Sequence, residues 1–188
     1  MNTPELVQWQ RVDPDNGLVQ PWLTHPFLDW AKSQDWSDKT IVMFGAGLGD
    51  AWLAKKCKKL IVVERNGEWL KKAQQYSDAN MGMVEYIFKP CNDSDGQAEW
   101  YLDLDGLEPD IIINDDAYRT ECCQMAVDYF NNKEGGGIFI CDNWVQSFVW
   151  MSPKAEEIMA PYKAMVFEQT DHTDNDGINR WKTAVWSL

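Results

Sequence analysis

The sequence predicts an α/β fold: a mostly parallel sheet flanked by helices and closed by a C-terminal antiparallel hairpin. Three features carry this prediction. Short β-branched runs alternate with helical segments from Thr40 to Met159, which gives five βα units. A glycine-rich turn, Phe44-Gly45-Ala46-Gly47-Leu48-Gly49-Asp50, follows the first run. Beyond Met159 two strand-like runs succeed each other with only a polar loop between them, and parallel neighbours need a longer crossover.

Each element has its own signal. The first 20 residues are polar and broken by Pro and Gly, so they read as an extended lead-in. Pro26 opens a short helix, Phe27 to Ser33. Thr40 to Phe44 is a short β-branched run ending at glycine, the pattern of a buried parallel strand. Asp50 to Cys57 reads as helix, Leu60 to Glu64 as strand, Glu68 to Ala79 as helix and Met83 to Phe88 as strand. A polar stretch and a short segment around Trp100 and Tyr101 precede the strand Ile111 to Ile113. The helix Thr120 to Phe130 is closed by Gly135-Gly136-Gly137, and Ile138 to Cys141 is the fifth strand. A helix near Lys154 to Met159 leads to the hairpin strands Lys163 to Gln169 and Arg180 to Ser187. The expected organisation is one domain over residues 1–188, with 1–36 as a lead-in or lid.

At 188 residues the chain is long enough to bury a sizeable core. No apolar run approaches the roughly 20 residues that span a bilayer. The start lacks a basic region followed by an apolar stretch, so no signal peptide and no membrane association are expected, and a cytoplasmic location follows. The five cysteines are odd in number and have no CxxC spacing, which reads as free structural thiols. A net charge of −13 repels phosphate backbones and argues against a nucleic-acid partner. The one basic cluster, Lys55-Lys56 with Lys58-Lys59, reads as an exposed helix end beside a strand. Eleven tryptophans offer stacking surfaces as well as core.

Glycines in the first βα turn let the backbone bend and approach a ligand, and the helix start beyond offers free N–H groups. A tight turn alone also uses glycine. Glu64 ends the second strand 17 residues after Gly47, where a carboxylate can accept both hydroxyls of an adenosine ribose. NAD and S-adenosylmethionine (SAM) sites share this logic. The spacing here is G-x-G-x-G, not the G-x-G-x-x-G of dinucleotide sites, and the terminal hairpin favours SAM.

Asn114-Asp115-Asp116-Ala117-Tyr118-Arg119 ends the fourth strand and Asp142-Asn143-Trp144 the fifth, so both face the crevice at the strand ends. Two carboxylates and an amide oxygen form a donor set of the kind Mg²⁺ takes; helix capping and polar ligand contacts use the same residues. Arg119 stays protonated and serves as a clamp for an anion or as a surface salt bridge. His25 and His172 are open to a base role or a structural one.

On these residues the chain resembles class I SAM-dependent methyltransferases over nearly all its length. The segment Asp15 to Pro26 is similar to the lead-in of a bacterial subgroup of such enzymes. Val63 to Trp69 resembles the subgroup's ribose-binding segment, Asp115 to Cys122 its D-G-x-x-R-x-x-C segment, and Trp181 to Val185 its final strand. The resemblance implies a Rossmann-like class I methyltransferase sheet. Phe44, Gly45, Ala46, Gly47 and Asp50 would surround the methionine part of SAM, Glu64 and Arg65 the ribose, and Asn92 or Asp93 the adenine. Asp115 would sit between cofactor and acceptor, and Asp115, Asp116, Arg119 and His25 are the implied catalytic set.

Asp116 precedes Asp142 by 26 residues, a spacing similar to that of the metal ligands in catechol and caffeoyl-coenzyme A O-methyltransferases. That likeness implies Mg²⁺ on Asp116, Asp142 and Asn143. The lysine those enzymes use as a base falls at Arg119 here. Met43 stands where many class I enzymes carry an acidic residue. The expected activity is methyl transfer to an oxygen or nitrogen of a small polar acceptor. An aminopropyltransferase, a SAM lyase, an NAD-dependent oxidoreductase and a non-catalytic SAM-binding module are the alternatives, and a homodimer is open.

Overall fold

The β-branched runs form seven strands: β1 (Trp36–Phe44), β2 (Cys57–Glu64), β3 (Val84–Phe88), β4 (Ile111–Asn114), β5 (Ile138–Asp142), β6 (Ala164–Gln169) and β7 (Trp181–Ser187). The helices are α1 (His25–Ser33), α2 (Asp50–Ala54), α3 (Gly67–Asn80), α4 (Ala98–Tyr101), α5 (Arg119–Asn131) and α6 (Pro153–Met159). This computed structural model describes residues 10–80, 84–91, 96–144, 153–170 and 181–188. None of the helices among them is long and apolar enough to cross a membrane.

One sheet holds all seven strands in the order β3-β2-β1-β4-β5-β7-β6. The pairs from β3 to β5 are parallel; β7 runs antiparallel to both of its neighbours, β5 and β6. The fold is therefore the Rossmann-like, mostly parallel sheet with a C-terminal antiparallel hairpin. Central strands must be apolar on both faces, because helices cover both. Ile41, Met43, Leu60, Val62, Ile111 and Ile113 face one side and pack with α1, α2 and the lead-in. Val42, Phe44, Ile61, Val63 and Ile112 alternate to the other side, against α4, α5 and α6.

Register places the functional loops together. Phe44 pairs with Val63 on β2 and with Asn114 on β4, and Asn114 pairs with Cys141 on β5. The residues just beyond β1, β2, β4 and β5 thus emerge along one edge of the sheet.

Helix α2 stops at Ala54, three residues short of the predicted Cys57. Cys57 instead begins β2, paired with Trp36. Lys56 turns back between them: its ammonium donates to the carbonyls of Lys32 and Gln34, each at 3.3 Å, and lies over the rings of Trp36 and Trp52. Cys57 and Cys91 are half-buried and Cys122, Cys123 and Cys141 buried, all as free thiols.

The described part of the lead-in is packed. Leu18 and Leu23 belong to the core, and Asp13 is buried. The Trp52 indole donates to Asp13 at 2.5 Å and Lys32 pairs with Asp13 at 2.8 Å. The Val19 N–H donates to the Tyr76 hydroxyl at 3.1 Å. Pro21 lies against the glycine loop so closely that a Cβ on Gly49 would stand 2.3 Å from the Pro21 Cα. Gly49→Ala is therefore expected to lower stability by about 1–3 kcal/mol through overpacking. A shifted thermal melt and faster proteolysis between residues 13 and 24 would show it; an unchanged melt would mean that Pro21 moves aside freely.

Candidate functional site

The glycine loop is fixed from three sides. Gly45 has φ +98°, and its N–H donates to the Val63 carbonyl at 2.9 Å. A Cβ there would lie 2.7 Å from the Asp115 carbonyl oxygen, so the loop after β1 rests on the loop after β4. Gly49 rests on Pro21. Gly47 differs: the nearest atoms to a Cβ would be 3.8 Å away, and among residues 41–50 it alone is not fully buried. Packing therefore demands the outer two glycines, while the middle one faces room.

Glu64 holds that loop to β2. It is 4 % exposed. Oε2 accepts the Ala46 N–H at 2.7 Å and Oε1 the Asn66 N–H at 2.6 Å. The Trp69 indole N–H donates to the Ala46 carbonyl from the first turn of α3. Burial pushes the Glu64 carboxyl above its ordinary range, against the pull of these backbone donors.

Asp50 lies beneath the loop with no exposure at all. Its carboxylate oxygens accept the Gly47 N–H at 3.0 and 3.1 Å, and the Tyr86 hydroxyl donates to it at 3.0 Å. Ser77 and Tyr86 share a further bond of 2.8 Å. Burial without a cationic partner raises Asp50 to about 7.

At the end of β4, Asn114 turns the chain by accepting the Asp116 N–H at 2.9 Å. The Asp116 carboxylate takes the Arg65 guanidinium at 3.0 Å on one oxygen and the Tyr101 hydroxyl on the other. Neither Asp115 nor Asp116 caps α5, whose N-cap is Tyr118 at φ +57° with no side-chain cap bond. Among the described residues Asp115 accepts no hydrogen bond on its carboxylate, and the nearest cation is Arg119, 3.9 Å away. Desolvation and then the charge of Asp142 raise its carboxyl well above the ordinary value.

Arg119 is 5 % exposed, which excludes the surface salt bridge. It donates to the Asp142 carbonyl at 2.9 Å and to Asn143 Oδ1 at 3.2 Å. Asp142, 1 % exposed, accepts the Trp181 indole N–H at 3.1 and 3.0 Å and the Thr183 hydroxyl at 2.6 Å. Desolvation lifts it to about 6 although those donors pull it down. Thr24 completes the chain by donating its hydroxyl to Thr183 at 3.0 Å and its N–H at 3.2 Å.

This arrangement does not suit Mg²⁺. Asp116 faces Arg65 and Tyr101, both Asp142 oxygens are met by the shared Trp181 indole N–H and one also by the Thr183 hydroxyl, and the Asn143 oxygen faces a guanidinium. A hard cation needs oxygens free of such donors and free of a neighbouring positive charge. Among the described residues no group of three or more His, Cys, Asp or Glu side chains is arranged to hold a metal ion.

Gly45, Ala46, Gly47, Asp50, Glu64, Asp115 and Asp116 thus come together. The Phe44 ring is core, packed 5.6 Å from Tyr101, and only its backbone reaches the site. His25 is anchored toward β6, its N–H donating to Gln169 Oε1 at 2.8 Å. Asn92, Asp93 and His172 lie outside the described residues. Sequence reasoning missed Tyr86, Trp69, Tyr101 and Thr183. Only Thr183 had a readable signal: it alternates with Trp181 on the strand that must flank β5.

No family model matches the sequence, and no curated protein matches it. Solved structures do share the fold. Precorrin-8W decarboxylase of Methanobacterium thermoautotrophicum is 15% identical at TM-score 0.57, over 91% of this chain and 97% of that one. An rRNA methylase of Streptococcus thermophilus is 15% identical at TM-score 0.55, over 88% and 98%. TrmK of M. capricolum, in complex with its cofactor product S-adenosylhomocysteine (SAH), is 15% identical at TM-score 0.52, over 88% and 69%.

Proposed function

We propose that this chain is a SAM-dependent methyltransferase acting on an oxygen or nitrogen of a small acceptor. The observation that carries the reading is the coupling of Glu64 to the glycine loop. Two carboxylate oxygens offer about four acceptor positions. Ala46 and Asn66 take two, and two remain for the hydroxyl pair of a ribose. Gly47 leaves room beside them for the methionine part, with Gly45 and Asp50 shaping the loop, and Arg65 flanks the ribose. Asn92 or Asp93, which the resemblance implies for the adenine, lie outside the described residues. SAM brings an activated methyl group, so the protein's task is to hold donor and acceptor in line.

The acceptor reading follows from charge. Lys55, Lys58 and Lys59 are exposed at the start of β2, the opposite end of the strands from the glycine loop. At the crevice end, Arg65 and Arg119 are both engaged by carboxylates or carbonyls. A net charge of −13 adds to this. RNA is the second reading, favoured by the rRNA methylase among the fold neighbours. A cytoplasmic location accords with the free thiols.

The test is incubation with methyl-labelled SAM and candidate acceptors. Release of SAH with label on the acceptor is expected; methylthioadenosine in its place would mean an aminopropyltransferase or a lyase. EDTA is expected to leave SAH affinity and turnover unchanged. Loss of turnover restored by Mg²⁺ would reinstate the metal site.

A further inference from the structure

The acceptor side of the crevice carries an aromatic surface that packing does not explain. Trp22 is 46 % exposed, yet the residues around it are held firmly. Pro21 is wedged against Gly49. Leu23 and Thr24 are 1 % and 0 % exposed, and Thr24 is bonded twice to Thr183. The Trp22 ring stands edge-on to Trp181, 6.3 Å between centroids, and the Trp181 indole is tied to Asp142. The indole is thereby held in place between the glycine loop and the end of β5, with much of its surface open.

Two polar groups on that side of the sheet keep hydrogen-bonding positions that no described residue fills. Among the described residues Asp115 accepts no hydrogen bond and has only the Arg119 guanidinium 3.9 Å away, whereas Asp116, Asp142 and Glu64 each accept protein donors. Gln169 is 4 % exposed; its oxygen takes the His25 N–H, and its Nε2 meets no acceptor. Register pairs Gln169 with Trp181 and Thr183 with Asp142, so strand alternation puts all four on one face. A buried amide without an acceptor is costly unless a ligand meets it. One amide donor without an acceptor and one carboxylate without a hydrogen-bond donor, on the face that carries a fixed indole, describe a ligand site, not a solvated acidic patch.

We infer that the methyl acceptor is a planar aromatic or heterocyclic amine, stacked on Trp22 and donating an N–H to Asp115. This rests on the methyltransferase reading only in calling the ligand an acceptor; the binding site itself stands on Trp22 and Asp115. Stacking on an indole is sequence-blind to ring type but favours flat and cationic groups.

The experiment is calorimetry with two probes of like shape, tryptamine as planar cation and indole-3-acetate as planar anion, with and without saturating SAH. Tryptamine is expected to bind and indole-3-acetate to bind at least tenfold more weakly. Trp22→Ala is expected to weaken tryptamine tenfold or more, Trp22→Phe to retain most of the affinity, and both to keep wild-type SAH affinity. Asp115→Asn is expected to abolish the preference for the cation. Equal binding of the two probes, or tryptamine binding that survives Trp22→Ala, overturns the inference. Failure of SAH to bind, with tryptamine behaving as described, sinks the methyltransferase reading alone. SAH binding without tryptamine binding sinks only the acceptor site.

Discussion

Glu64→Gln is expected to lower SAH affinity by about 100-fold. The two backbone N–H groups of Ala46 and Asn66 approach different oxygens of the carboxylate. A glutamine amide has one oxygen, so its NH₂ must face one of these donors. Leaving a buried N–H unsatisfied costs about 1–3 kcal/mol. In the proposed cofactor site the ribose hydroxyls would lose a charged acceptor as well, and charge-assisted bonds are about twice as strong as neutral ones. Together these amount to about 3 kcal/mol, or about 100-fold in affinity. Calorimetry with SAH, run below the melting temperature of the variant, measures it. An affinity within twofold of wild type would remove Glu64 from the cofactor site.

The Asp50 contribution to stability is expected to fall as the pH rises from about 4 to 7. Its carboxyl titrates near 3.8 in the unfolded chain and near 7 when folded. Across that window the native state holds one more proton than the unfolded one. The stabilisation is complete below pH 3.8 and is lost as pH rises through 7. The full difference corresponds to about 4 kcal/mol. Asp50→Asn removes the titration but keeps an oxygen for the Gly47 N–H, and the Tyr86 hydroxyl can turn to Ser77. Asp115 and Asp142, also raised, add slope of the same sign, so the difference between wild type and variant is the relevant quantity. Denaturant melts from pH 4 to 8 should show a variant of flatter slope and greater stability at pH 8. Parallel curves for the two proteins would mean that Asp50 ionises as an ordinary aspartate.

The strand ends were readable because they obey local rules. Thr40 to Phe44 stops at a glycine that needs positive φ, and Ile111 to Ile113 needs apolar residues on both faces; both hold in the fold. Glu64 was readable for a similar reason, as the acidic end of a buried run. Asp142 was not. Its sequence neighbours suggested an oxygen donor for a cation, and only the register of β7 shows that Trp181 and Thr183 fill it. Arg119 was open to an anion clamp or a surface salt bridge, and only the fold shows it buried with the Asp142 carbonyl as acceptor. The length of α2 failed for a related reason: Lys56 is held by Lys32 and Gln34, contacts made at a distance along the chain.

The place of β7 between β5 and β6 sets an order of assembly. β6 precedes β7 in the chain, yet among the described residues it pairs with β7 alone. While β7 is absent, β6 has an unpaired backbone and no strand to dock on. The β5–β7 ladder joins Asp142 to Thr183, a long-range pairing that docks β7, with β6 beside it, onto the sheet and brings Thr183 to Thr24. Non-local closure of this kind is slow. Docking of the hairpin is thus the expected late event of folding, and a nascent chain halted before Trp181 would leave the sheet unfinished beyond β5 and Asp142 without its Trp181 and Thr183 donors.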